Sequence, residues 1–140
     1  MDQEKKEELL NFLNKWGEQT MLEIMEIVFT DVTEDSLTAT MPVTWKVHQT
    51  YGMLHGGASV ALAETLGSSL SNLFIDRENY YAVGTSINSN HLRSATKGTV
   101  TGTAKFIRKG KTLHYSEIEI RNEKGDLLNH TTMTNIVIRK

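Results

Sequence analysis

One carboxylate, Glu64, stands alone in a stretch of small and apolar residues that runs from His55-Gly56-Gly57 to Phe74, with no basic residue inside it. The stretch reads as a single helix, small or apolar all round, and is therefore expected inside a core. Burial raises the pKa of an unpaired carboxylate and makes it a better proton acceptor, which suits acid–base or nucleophilic work. A structural carboxylate bonded to a backbone N–H or a serine is the alternative. Ser68 follows one turn later on the same face, placed to hold a water or the carboxylate, with simple helix packing an equal explanation. At the other end, a helix opening on His55-Gly56-Gly57 presents unpaired N–H groups at the positive end of its dipole, and glycine allows a substrate close. That arrangement binds a developing oxyanion. Gln49 and His55 flank it.

Helix geometry separates these two groups. His55 and Glu64 are nine residues apart. At about 100° and 1.5 Å per residue they fall near opposite faces, roughly 13 Å apart along the axis. One substrate cannot reach both on one chain. If both act together, Glu64 comes from one subunit and Gln49, His55 and Gly56 from another, and symmetry supplies two equal sites per dimer.

The remaining elements must position that helix. Leu9, Phe12, Leu13 and Trp16 mark one face of an N-terminal helix over about residues 3 to 16, with Gly17 as its stop. Apolar-rich Glu23 to Val32 and alternating Leu37, Ala39, Met41 and Val43 read as a hairpin around Thr33–Ser36. Trp45 to Leu54 is a connecting loop. Past Phe74, strands are expected at about 81 to 92, 98 to 108, 111 to 121 and 127 to 139, joined by glycine-bearing turns. A curled antiparallel sheet of about six strands is the economical wrapper for one apolar helix, which makes the fold α+β.

The 140 residues suit one domain, 1–140, with one core. A net charge of −2 gives no overall case for nucleic acid or an anionic membrane as partner. Cysteine is absent, which removes disulfides, thiol catalysis and cysteine-held metals. The histidines show no metal-ligand spacing, and no phosphate-binding glycine loop occurs, so neither metal nor cofactor is expected. Gly57-Ala-Ser59-Val-Ala61 lacks the second glycine of a nucleophile elbow, which argues against a serine hydrolase. With no signal-peptide pattern and no long apolar run, the expected location is the cytoplasm.

Six strands around one helix is the hotdog architecture. The run Gln49-x-Tyr-Gly-x-Leu-His55-Gly56-Gly57, with Glu64 nine residues after the histidine and Gly67-Ser68 beyond, resembles the signature of hotdog acyl-CoA thioesterases of the phenylacetate-degradation type. It is similar above all to their dihydroxynaphthoyl-CoA hydrolase branch. The resemblance also takes in Ala39–Val43, Asn88-x-Asn90-His91-x-Arg93-Ser94 and the Glu123–Gly125 turn. It implies Glu64 as catalytic carboxylate, the Gly56 N–H as oxyanion donor, Gln49 and His55 assisting at the thioester, and Ser68 beside the attacking water. It further implies a homodimer or homotetramer with sites at the interface.

No acid lies between Glu78 and Glu117, while Arg93, Lys97, Lys105, Arg108, Lys109 and Lys111 all do. Such a local positive field suits the phosphates of coenzyme A or of a carrier-protein arm, with Arg93, Arg108, Lys109 and Lys111 as candidates. Solvated strand edges rich in lysine are the plainer explanation for any one of them. His91 either lines the site or packs. The leading expectation is an acyl-CoA thioesterase for a compact, aromatic or short acyl group. The competing ones are a hotdog dehydratase, which the His-Gly-Gly context and Ser68 disfavour, and a non-catalytic acyl or CoA binder, against which Glu64 counts.

Overall fold

The structure is a computed structural model that describes all 140 residues. Helix α1 (Gln3–Trp16) starts where the Asp2 side chain accepts the Lys5 N–H and ends at Gly17. The chain then forms α2 (Met21–Ile24), β1 (Val28–Val32), β2 (Ser36–Pro42), a short 3-10 turn at Trp45–Val47, α3 (Gly56–Leu73), and strands β3 (Tyr80–His91), β4 (Thr99–Lys109), β5 (Leu113–Arg121) and β6 (Leu127–Arg139). All strand pairs are antiparallel, in the order β1-β2-β4-β5-β6-β3.

The first expected strand is half as long as its composition suggests. Thr20 caps a helical turn by accepting the Leu22 N–H, and Gln19 and Glu26 adopt left-handed backbone at φ 58° and 57°. A chain reversed at both residues cannot run extended between them. Only Val28 onward joins the sheet.

Helix α3 lies across the concave face of the sheet. Leu62, Leu66 and Leu70 repeat every four residues and are fully buried, beside Ala58, Ser59, Ala63, Gly67 and Ser71. They meet Leu37, Met41, Ile118, Ile120 and Met133 from the strands, and this is the core. The sheet is open, however, and covers one side of the helix only. Gly57 and Glu64 are exposed, and Val60, Ala61, Thr65 and Ser68 are half-buried. The expectation of a helix enclosed all round, with Glu64 inside, is corrected accordingly. Its own chain does not bury that carboxylate.

Both edges of the sheet are met by an asparagine on a helix. Asn14 of α1 exchanges two hydrogen bonds with Phe29 of β1, at 3.0 and 2.9 Å. Asn72 of α3 does the same with Ala82 of β3, at 3.0 and 2.9 Å. Beyond Ala82, the outer edge of the twelve-residue β3 has no strand beside it.

Candidate active site

The opening of α3 is built by His55. Its extended backbone stops the preceding loop, and its Nδ1 accepts the Gly57 N–H at 2.7 Å. That cap consumes one of the first N–H groups of the helix and fixes the proton of a neutral ring on Nε2. The Gly56 N–H has no acceptor in the chain. It opens into a cleft of about 410 Å³ whose lining includes Gln49, Gly56, Ser59, His91 and Arg93. Gln49 Oε1 accepts the Tyr51 N–H, so its amide hydrogens remain free to donate. His91 approaches so closely that a Cβ on Gly56 would sit 2.9 Å from His91 Nε2. Any larger residue there would have to push the His91 ring aside.

His91 is held from behind. Asn129 Nδ2 lies 3.1 Å from His91 Nδ1 and 2.8 Å from Ser89 Oγ, while Asn129 Oδ1 accepts the Thr131 hydroxyl at 2.7 Å. An amide donor facing Nδ1 makes that nitrogen the acceptor and leaves Nε2–H turned toward Gly56. Asn129 and Thr131 are buried. Polar residues on the inner side of a strand look like any alternating pair, so this support was missed; the alternation Ser89-x-His91 with Asn129-x-Thr131 was its only sequence signal.

Glu64 stands elsewhere. It lines a separate hollow of about 140 Å³ with Gly84, Thr85, Ser86, Ile87 and Met133. The β3–β6 register slips between Gly84 and Ser86, so Thr85 bulges there. A Cβ on Gly84 would lie 3.3 Å from Glu64 Oε1 and 2.7 Å from the Met133 methyl, which explains the glycine beside the carboxylate. Ser68 is half-buried one turn on, and its hydroxyl makes no hydrogen bond to Glu64 or to any other group of the chain. Thus the structure gathers Gln49, Gly56 and His91 in one place and leaves Glu64 in another, with His55 as the cap of the first.

The positive residues divide as well. Arg93 lines the first cleft and pairs with Asp126 at 3.8 Å. The Asp126 carboxyl is held below the usual range, first by a hydrogen bond from Asn122 and then by Arg93 and Lys124. Arg108, Lys109 and Lys111 belong to the β4–β5 turn, at the opposite end of the sheet from Arg93. The grouping of Arg93 with these three as one phosphate site is corrected for a single chain: strands of nine to thirteen residues carry the two turns apart. No group of three or more metal-ligating His, Cys, Asp or Glu side chains forms, and no helix is long and apolar enough to cross a membrane.

Comparison with known proteins gives these features a setting. Residues 51–129 match the family model of the thioesterase superfamily. The chain is 41% identical over 129 residues to the 1,4-dihydroxy-2-naphthoyl-CoA hydrolase of Escherichia coli, covering 92% of this chain and 94% of that protein. It is 42% identical over 116 residues to the proofreading thioesterase EntH of Cronobacter sakazakii, covering 83% and 84% of the two chains. Among solved structures, a mutant of thioesterase PA1618 from Pseudomonas aeruginosa superposes with a TM-score of 0.92 at 39% identity over 94% of both chains. With its hotdog fold, its Gly56-headed helix and these relatives, the chain belongs to the thioesterase superfamily and is a thioester hydrolase.

Proposed function

We propose that this hydrolase cleaves a compact aromatic acyl-CoA at a site completed by two copies of the chain. The observation that carries the reading is the division of groups just described: the unpartnered Gly56 N–H with its polar company in one cleft, and the carboxylate in another. β3 links the two, since Gly84–Ile87 line the Glu64 hollow and His91 lines the cleft. Its outer edge is free, and antiparallel pairing of two such edges is the natural closure. A twofold axis near Ile87 and Asn88 sets Gly84 of one strand opposite the second copy's His91, and so sets one Glu64 beside the other copy's Gly56.

In that assembly the Gly56 N–H, at the positive end of α3, donates to the thioester oxygen as negative charge develops on it, and the Gln49 amide adds a second donor. Glu64 either attacks the carbonyl carbon, giving a mixed anhydride that water opens, or takes the proton of an attacking water. Both routes expel the thiolate of coenzyme A, and Ser68 is placed to hold the water. Pairing also buries Glu64, which the single chain leaves exposed. The aromatic acyl group rests on the likeness to a dihydroxynaphthoyl-CoA hydrolase, and Arg93 at the cleft is the nearest cation for a phosphate.

A panel of benzoyl-, hydroxybenzoyl-, phenylacetyl-, dihydroxynaphthoyl- and medium-chain acyl-CoAs, followed by appearance of free thiol, tests this. Aromatic members are expected to react fastest, and Glu64→Ala to abolish turnover. No thiol from any aromatic member, or an undiminished rate in the variant, contradicts the reading.

A further inference from the structure

The far end of α3 holds a cavity that takes no part in the site above. It measures about 460 Å³ and is lined by Phe74, Ile75, Tyr80 and Val137 on its apolar side and by Lys109, Lys111 and His114 on its polar side, with Asp76 at its edge. Its volume is that of a small-molecule pocket. His114 is only 2% exposed, and its Nδ1 has no hydrogen-bond partner. Burial pushes the imidazole pKa down, against the Gly110 backbone bond and with Lys109 acting in the same direction as burial.

The two lysines are uncommitted. No carboxylate lies within 4.0 Å of either. The Lys109 ammonium instead rests over the rings of Phe74 and Phe106, 5.0 and 5.5 Å from their centroids, and Phe106 stacks edge-on with His114. Opposing them are Asp76 and the end of α3. Asp76 is turned to its own loop, where it accepts from the Glu78 N–H at 3.1 Å and from Asn79 Nδ2 at 2.7 Å. A helix C-terminus adds roughly half a negative charge. Two full positive charges exceed that sum, and the mouth stays positive.

We propose that this cavity is a second ligand site, one that takes a small carboxylate with an aromatic or apolar body. The carboxylate meets Lys109 and Lys111, and the body lies against Phe74, Ile75 and Val137. Apolar walls beneath a cationic rim select such an acid over inorganic phosphate, which has no apolar part to bury. The acid that a thioesterase releases has this chemistry, but binding here is independent of turnover.

Calorimetric titration of the intact protein with sodium benzoate tests the proposal. Saturable binding is expected, about tenfold weaker in Lys109→Gln/Lys111→Gln, unchanged in Gln49→Ala, and at least tenfold weaker for benzamide and for inorganic phosphate. The lysine variant alters exposed side chains, so it is expected to fold as the parent does. Benzoate binding that survives in the lysine variant, that vanishes in Gln49→Ala, or that phosphate matches overturns the proposal. So does the absence of saturation.

Discussion

The two sides of α3 obey different rules although they alternate along one sequence. The side carrying Leu62, Leu66 and Leu70 is closed by its own sheet, and those three leucines fill the core. The side carrying Gly57, Glu64, Thr65 and Ser68 is left open, and its residues are small, polar or charged. Stability is concentrated on the first side, and the proposed chemistry falls on the second. A helix can serve both because one stripe of about four positions per two turns suffices to anchor it.

Substitutions on the two sides should therefore separate activity from folding. Glu64→Ala is expected to lower kcat/KM for the best aromatic acyl-CoA by roughly 10²–10⁴-fold, while the urea midpoint moves by no more than about 0.5 kcal/mol equivalent. Leu66→Ala is expected to do the reverse, at a cost of about 2–5 kcal/mol in unfolding free energy with the specific activity of the folded fraction kept. Denaturant curves at fixed protein concentration and initial rates measure both. A Leu66→Ala protein as stable as the parent would dissolve the distinction.

A smaller effect is expected where the two rules meet, at the start of the helix. In Gly56→Ala the new methyl would collide with His91 Nε2, 2.9 Å away, and displace the ring that lines the proposed site. Misplacement of about 1 Å corresponds to roughly a 10²-fold loss of rate. Initial rates with the best aromatic acyl-CoA measure the loss, and an undiminished rate would contradict the role given to this glycine.

The smallest expected effect is on pH dependence. His114 has a folded pKa below its ordinary value of 6.5, through burial first and Lys109 second. The unfolded chain therefore binds the proton more readily. Stability from this residue is fully present above about pH 6.5 and declines as the pH falls from there through the lower folded value. His114→Phe should flatten the acid side of the stability curve between about pH 7.5 and 5, measured as urea midpoints, and an unchanged slope would contradict the assignment.

Much of this was legible from residue types. The limits of α3 follow from His55-Gly56 and the last apolar residue before Phe74, and the four later strands follow from alternation and turn glycines. The short α2 was missed because Glu23-Ile-Met-Glu-Ile is apolar enough for a strand, and only the cap at Thr20 and the reversal at Glu26 exclude one. Exposure of Glu64 was missed because composition reports that a helix is apolar without reporting how far a sheet extends around it. Charges near in sequence, Arg93 and Lys109, ended at opposite ends of the sheet because the chain between them runs the length of β4. Pattern reveals which face a residue takes, whereas the distance between faces belongs to the assembled sheet.

The most direct test of a site shared between copies is complementation. Glu64→Ala and His55→Ala chains, each inactive alone, are unfolded together at equal amounts, refolded and assayed for thiol release, with hybrid assembly followed by mass. Random pairing makes half of the dimers hybrid, each with one intact site, so about one quarter of the parent activity should return. Hybrids that form and remain inactive would show that Glu64 and His55 do not serve one thioester across an interface.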